Sequence, residues 1–320
     1  MASAPTQEKP KWQLYLDNEK QEQEQEWGDD ITNDLFPIVS SLLLDDSDPV
    51  TASQKAASEF MELLVNKWLP KETQPRTYDE PGDTPPLYTE EQSLNSNFQC
   101  LGHFIYGLVP ELPYPGIEHD KILHFVLRIK ELGNQANFDS QKNSDLKSFH
   151  YGLECDAFES ADWIEGRFPL KQAESDKHLC DRALSFYALF AKLLAAGVIR
   201  VTVLKMISYD LHMLLGKRDK MKPPSSEFER QHHSSVWAEN ILIAGQELAK
   251  EVKSPCGELK FPLTKVEWKA GAEHLAKVAE AVPEDAPWDL KPRAQKAYEQ
   301  MRELVPEAFV EEVEKYEMSA

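Results

Sequence analysis

The sequence predicts an all-α fold, a single multi-helix bundle or irregular α-array of about eight or nine helices. Three observations predict it. Apolar side chains recur at steps of three and four, the pitch of a helix, in one segment after another. Glycine is scarce at 13 residues while proline is common at 21, which suits helices divided by proline-rich connections better than sheets joined by tight turns. Hydrophobic residues make up 41% of the 320-residue chain and aromatics 10%, with seven Trp, enough for a core and too much for a wholly disordered chain.

Residues 1–34 read as a disordered acidic arm, and residues 35–320 as the helical domain. Residues 1–50 hold three basic and twelve acidic side chains, and Glu19–Glu26 is the polar run EKQEQEQE. Such a segment buries too little apolar surface to offset its ordering entropy. Trp12, Leu14, Tyr15 and Leu16 interrupt it, either as a short docking motif or as a hydrophobic stretch that folds back on the domain.

The first strong helix follows Asp48-Pro49, a cap residue and a proline suited to the first turn. Its stripe is Ala57, Phe60, Met61, Leu64, Val65 and Trp68, and Pro70 is expected to end it. Prolines 70, 75, 81, 85 and 86 mark a loop. Thr89 and Gln92 form a capping box ahead of Leu94, Phe98, Leu101, Ile105 and Leu108. Prolines 110, 113 and 115 break the chain before a helix holding Ile122, Phe125, Val126 and Ile129. Residues 133–150 read as a polar loop and Phe158–Ile164 as a short helix.

A central helix is expected over Glu174–Ala196, burying Leu179, Ala183, Phe186, Tyr187, Phe190 and Leu194, with Gly197 as a left-handed cap. The short link to a helix carrying Leu204, Ile207, Leu211 and Leu214, stopped by Gly216, favours an αα-hairpin. The rival reading of Val198–Leu204 is a β-branched strand. Ser226 with Glu229 and Thr264 with Glu267 are two further capping boxes. The first precedes Trp237, Ile241, Ala244, Leu248 and Val252; the second precedes Trp268, Ala272, Leu275 and Ala279. Asp289 starts a helix with Leu290, Ala294, Ala297, Met301 and Leu304, and a last helix with Phe309, Val313 and Tyr316 follows Pro306. A solenoid-like stacking of helix pairs is the alternative architecture, although no shared consensus links the pairs.

The formal charge of −20 excludes two classes of partner. Nucleic-acid binders need a basic surface to displace counterions, and anionic membranes repel an acidic one. Lys217, Arg218, Lys220 and Lys222 are the best basic patch and read as a solvated loop. Nothing resembles a signal peptide, a lipidation signal or a run of about 20 apolar residues, so the expected location is the cytoplasm, with nuclear access. Cys100, Cys155, Cys180 and Cys256 make no CxxC pair and are expected as buried, inert thiols.

His103, Asp120 and His124 are the candidate catalytic residues. Asp120 and His124 stand one helical turn apart, beside His119, and imidazole with carboxylate can do acid–base work without a cofactor. The spacing from His103 to His119 is short for the helical metal phosphohydrolases, so no metal is assigned. Asp29, Asp30 and Asp34 imitate an aspartate-rich magnesium motif but lack its second half; Asp45, Asp46 and Asp48 read as charge at a helix start. His232-His233 lack the HExxH setting of a zinc protease. There is no GxSxG, phosphate loop or dinucleotide fingerprint, and no cofactor is expected. Tyr106, Phe125, Phe186, Tyr187, Phe190, Tyr209 and Trp237 read as core, with a ligand cavity between helices as the alternative.

Three segments carry a resemblance: LSFYALFAKLLAAG over Leu184–Gly197, WAENILIAGQEL over Trp237–Leu248, and WKAGAEHLAKVAE over Trp268–Glu280 followed by RAQKAYEQM. Together, over residues 175–304, the chain resembles the fungal family known as domain of unknown function 3632. The resemblance implies a helical fungal intracellular protein, with a link to secondary metabolism, and brings no catalytic residues. The function expected is therefore an accessory or interaction protein whose partner is a protein or a small hydrophobic molecule. The alternative is a cofactor-independent enzyme or small-molecule carrier with a pocket between helices. The oligomeric state is left open.

Overall fold

The computed structural model describes residues 9–26, 31–73, 88–136, 149–154, 157, 177–217 and 226–310, and every regular element among them is helical. Eleven α-helices have both ends described: α1 (Lys11–Glu26), α2 (Ile31–Leu44), α3 (Pro49–Leu63), α4 (Leu69–Thr73), α5 (Glu90–Leu108), α6 (Ile117–Ala136), α7 (Lys177–Ala195), α8 (Val201–Leu214), α9 (Glu227–Lys253), α10 (Lys265–Ala281) and α11 (Leu290–Leu304). That is more than the eight or nine expected. Chain contacts form two units, Met1–Phe168 with His178–Leu189 and Pro169–Lys177 with Phe190–Ala320, so the boundary falls inside α7.

Unit 1 is built on α3 and α6. Asp48 caps α3 by accepting from the N–H groups of Val50 and Thr51 at 3.0 and 3.1 Å. The Ser53 hydroxyl reaches the Lys121 carbonyl at 2.9 Å and Phe60 meets Phe125 edge-on at 6.3 Å, so the two helices run parallel. Lys121 is buried at 3% exposure. Its ammonium donates to the carbonyls of Leu43 (3.1 Å) and Asp45, satisfying two acceptors that the end of α2 leaves open and placing positive charge at the negative end of its dipole.

Three expectations change here. The arm is not disordered over Lys11–Glu26: that segment is α1, with Trp12 and Leu16 buried. The sequence reading assigned no helix to Ile31–Leu44, yet α2 buries seven side chains there. Its buried residues Ile31, Leu35, Ile38 and Leu42 step four, three and four, a stripe the sequence already carries, and Pro37 sits inside the helix on its exposed side. Pro70 does not end the helical path either. Leu64–Trp68 is a π-turn in which the Leu69 N–H donates to the Leu64 carbonyl, five residues back, and α4 continues through Pro70. The wider register takes up the place where proline has no N–H to give. α6 extends to Ala136, into the expected loop; Phe158–Ile164 lies outside the described residues.

In unit 2 the resemblance segments from Trp237 onward lie on α9, α10 and α11, which pack on one another, while Leu184–Gly197 belongs to the end of α7. The glycines of α9 and α10 have a packing reason. A Cβ at Gly271 would press on the Trp237 indole at 3.0–3.1 Å, and one at Gly245 would meet Gln300 Nε2 at 2.7 Å. Gln300 there donates to the Ile241 carbonyl at 2.9 Å. Trp268 is fully buried and its indole N–H donates to the Met301 carbonyl at 3.0 Å. Gly197 has φ +66° and ends α7 as expected: Val198 N–H donates to Leu193 O and Gly197 N–H to Leu194 O, the paired bonds of a Schellman cap. Val201 onward is helical, against the rival strand. The last expected helix is a 3-10 turn over Pro306–Ala308, with residues from 311 outside the described set.

Candidate functional site

The candidate acid–base residues lie on two helices. His103 is exposed on α5, while Asp120 and His124 are half-buried on α6. The buried member of this region is His119, at 0% exposure. Its Nε2 bonds the Ser185 carbonyl at 2.9 Å and its ring tilts against Tyr114 at 5.0 Å. His119 continues the stripe Ile122, Val126 and Ile129 at steps of three and four, a signal legible in the sequence.

The remaining sequence candidates have structural duties. Asp34 accepts from Lys67 Nζ at 2.8 Å and Trp68 Nε1 at 2.7 Å, tying α2 to the π-turn; Asp29 and Asp30 lie outside the described residues. Lys217 pairs with Glu267 at 2.9 Å, while Arg218, Lys220 and Lys222 are not described. Cys180 is buried and Cys100 half-buried, but Cys256 is exposed just past α9, correcting the expectation of burial; Cys155 is not described. Among the described residues no group of three or more His, Cys, Asp or Glu side chains is placed to hold a metal ion. The interior aromatics face one another: Tyr106 with Phe186 at 6.3 Å, Phe186 with Tyr187 at 5.8 Å, Tyr209 with Phe261 at 6.1 Å. Such edge-on pairs stabilise a core.

Two constellations stand out. In unit 2, His232, His233, Phe228 and Trp288 cluster: ring centroids are 5.5 Å apart for His232–Trp288 and 5.4 Å for Phe228–Trp288. Trp288 and Asp289 hold left-handed backbone, φ 62° and 51°, which costs a non-glycine residue about 1–2 kcal/mol. Burial pushes His232 down to about 3, with His233 adding to the shift; burial also lowers His233 and His274. The Ser234 hydroxyl lies 2.8 Å from His274 Nε2 and 2.6 Å from the Arg230 carbonyl. Ser234 is wholly buried, so this pair cannot present a nucleophile to a substrate.

In unit 1, α1 seats in a groove formed by α2, α5 and the 3-10 turn Val109–Glu111. Trp12 (4% exposed), the half-buried Tyr15 and Leu16 (2%) supply its anchors, at i, i+3 and i+4 on one face. Leu14, between them, is 49% exposed. The groove wall comes closest at Gly107: an added Cβ would collide with the Tyr15 hydroxyl, while ring carbon Cζ would stay at 3.5 Å. Burial raises the Tyr15 phenol above its ordinary range, reinforced by Glu19 and Glu111 and opposed by Arg182. Arg182 pairs with Glu111 at 2.7 Å, and Lys11 Nζ donates to His178 at 3.2 Å. Past Leu16 the same face turns polar, through Glu19 and Gln23. Two buried side chains, at about 2 kcal/mol each, and the half-buried Tyr15 hold a sixteen-residue helix whose length is marginal in isolation, so α1 docks by a small margin.

No protein-family model, curated protein or solved structure matches this chain. Of the two constellations, the α1 seat is the one in which a helix is held on a surface by a few side chains.

Proposed function

We propose that this chain is a non-enzymatic accessory protein that works by docking helices of other proteins, and that the α1 groove is its binding surface. The observation that carries the reading is α1 itself: a largely polar helix whose apolar anchors are Trp12, Tyr15 and Leu16, the anchor spacing by which helix-in-groove recognition is read. Other features support the same reading. The interior aromatics are engaged with one another, and Ser234 and His119 are buried under backbone hydrogen bonds. The charge of −20 disfavours phosphate-bearing partners and favours basic proteins. No helix among the described residues is long and apolar enough to cross a membrane, in keeping with a cytoplasmic or nuclear place of work. Kinship with the fungal family, and a link to secondary metabolism, belong to the same proposal through the sequence resemblance.

Affinity capture from a fungal extract tests it. Full-length chain carrying Trp12→Ala and Leu16→Ala is expected to retain a protein partner at near-equimolar yield, and a peptide of residues 9–26 is expected to elute it. Capture of nothing by either the variant or the parent chain would contradict the proposal.

A further inference from the structure

We infer that α1 is a displaceable strap, filling in cis a groove that takes an amphipathic helix of a partner with Trp, Tyr and an aliphatic residue at i, i+3 and i+4. The inference rests on the interaction reading above, and adds the partner's chemistry and the device that controls access. The occupant is visible: Trp12 and Leu16 are buried in the groove and Tyr15 lies against Gly107. α1 is a poor permanent tenant, because its anchors end at Leu16 and the rest of its face is polar. α1 then acts as a competitor whose tether gives it a high effective concentration, so weak helices are excluded and well-matched ones enter. Gly107 sets selectivity at the second anchor, since its missing Cβ makes room for the Tyr15 hydroxyl.

Fluorescence titration with a labelled peptide of residues 9–26 tests this on full-length chains. The peptide is expected to bind the Trp12→Ala/Leu16→Ala chain at least tenfold more tightly than the parent, whose groove is occupied. A second chain, Gly107→Ala, needs no loss of anchors: it is expected to reject the Tyr15 peptide and accept one with Tyr15→Phe. Equal binding to parent and released chains, or no binding to a released chain whose circular dichroism is unchanged, would overturn the strap. If the double variant does not fold, identical affinities of the Tyr and Phe peptides for Gly107→Ala overturn it instead. Peptide binding with an empty affinity capture would keep the groove and sink the interaction reading; capture without peptide binding would do the reverse.

Discussion

Replacing Trp268 by alanine is expected to destabilise unit 2 by about 4 kcal/mol, within the range for removing a buried aromatic from a packed core. Trp268 has no exposed surface and bridges α10 to α11 through its bond to the Met301 carbonyl. It stands in one of the segments that carry the family resemblance. The substitution removes the largest of the fully buried side chains and leaves a cavity between helices that cannot close without breaking the contacts at Gly245 and Gly271. Trp268→Phe should cost less, about 1–2 kcal/mol, because most of the apolar volume stays and the hydrogen bond is lost. Urea unfolding followed by far-UV circular dichroism measures both. A loss below about 1 kcal/mol for the alanine variant would place Trp268 outside the core.

Acid should weaken the same unit before any carboxylate titrates. His232 is held neutral by burial, near 3 against 6.5 for the exposed group. Between pH 6.5 and pH 5 the unfolded chain takes up a proton there and the folded chain does not. Stability is therefore complete above 6.5 and falls as pH drops, by about 2 kcal/mol over that window from His232 alone. His233 and His274, lowered for the same reason, steepen the fall. Asp45, Asp48 and Glu267 have lowered values, so the stability they add is lost only at more acid pH and does not overlap. His232→Phe keeps a ring against Phe228 and Trp288 and removes the titration. Its unfolding free energy should be visibly flatter over pH 5–6.5 than the parent's; an unchanged slope would show that His232 is solvated.

Helix starts and stops were the most legible part of the fold because they depend on local chemistry. Asp48 and the Thr89–Gln92 box cap helices as expected, and Gly197 and Gly216 take the left-handed backbone that ends two more. Ser226 also caps its helix, accepting from the Glu229 N–H. Thr264 accepts instead from Val266, and its own hydroxyl donates to Glu267. What escaped depends on distant partners. The continuation past Pro70 needs a π-turn that no residue pattern announces, whereas α2 carries a legible stripe, Ile31, Leu35, Ile38 and Leu42, interrupted in appearance by Pro37. Burial of Lys121 needs two carbonyls almost eighty positions away. α1 escaped because EKQEQEQE dominates its composition, although Trp12, Tyr15 and Leu16 already carry helical spacing. Of the candidate site, His103, Asp120 and His124 were chosen by residue type, whereas the groove is a property of how α2 and α5 meet. Only its occupant was in view, under the fold-back reading of the Trp12 cluster.

Native-state hydrogen exchange of the full-length chain is the most direct test of the central claim, that α1 sits in its groove by a small margin. The amides of residues 15–23 are expected to exchange through a local opening, with protection at least a hundredfold below that of α3 and α5 and little dependence on denaturant, the signature of a sub-global unit. Excess peptide of residues 9–26 should speed them further by holding the groove. If those amides exchange only when α3 and α5 do, and the peptide leaves them unchanged, α1 is a permanent part of the core and the strap does not exist.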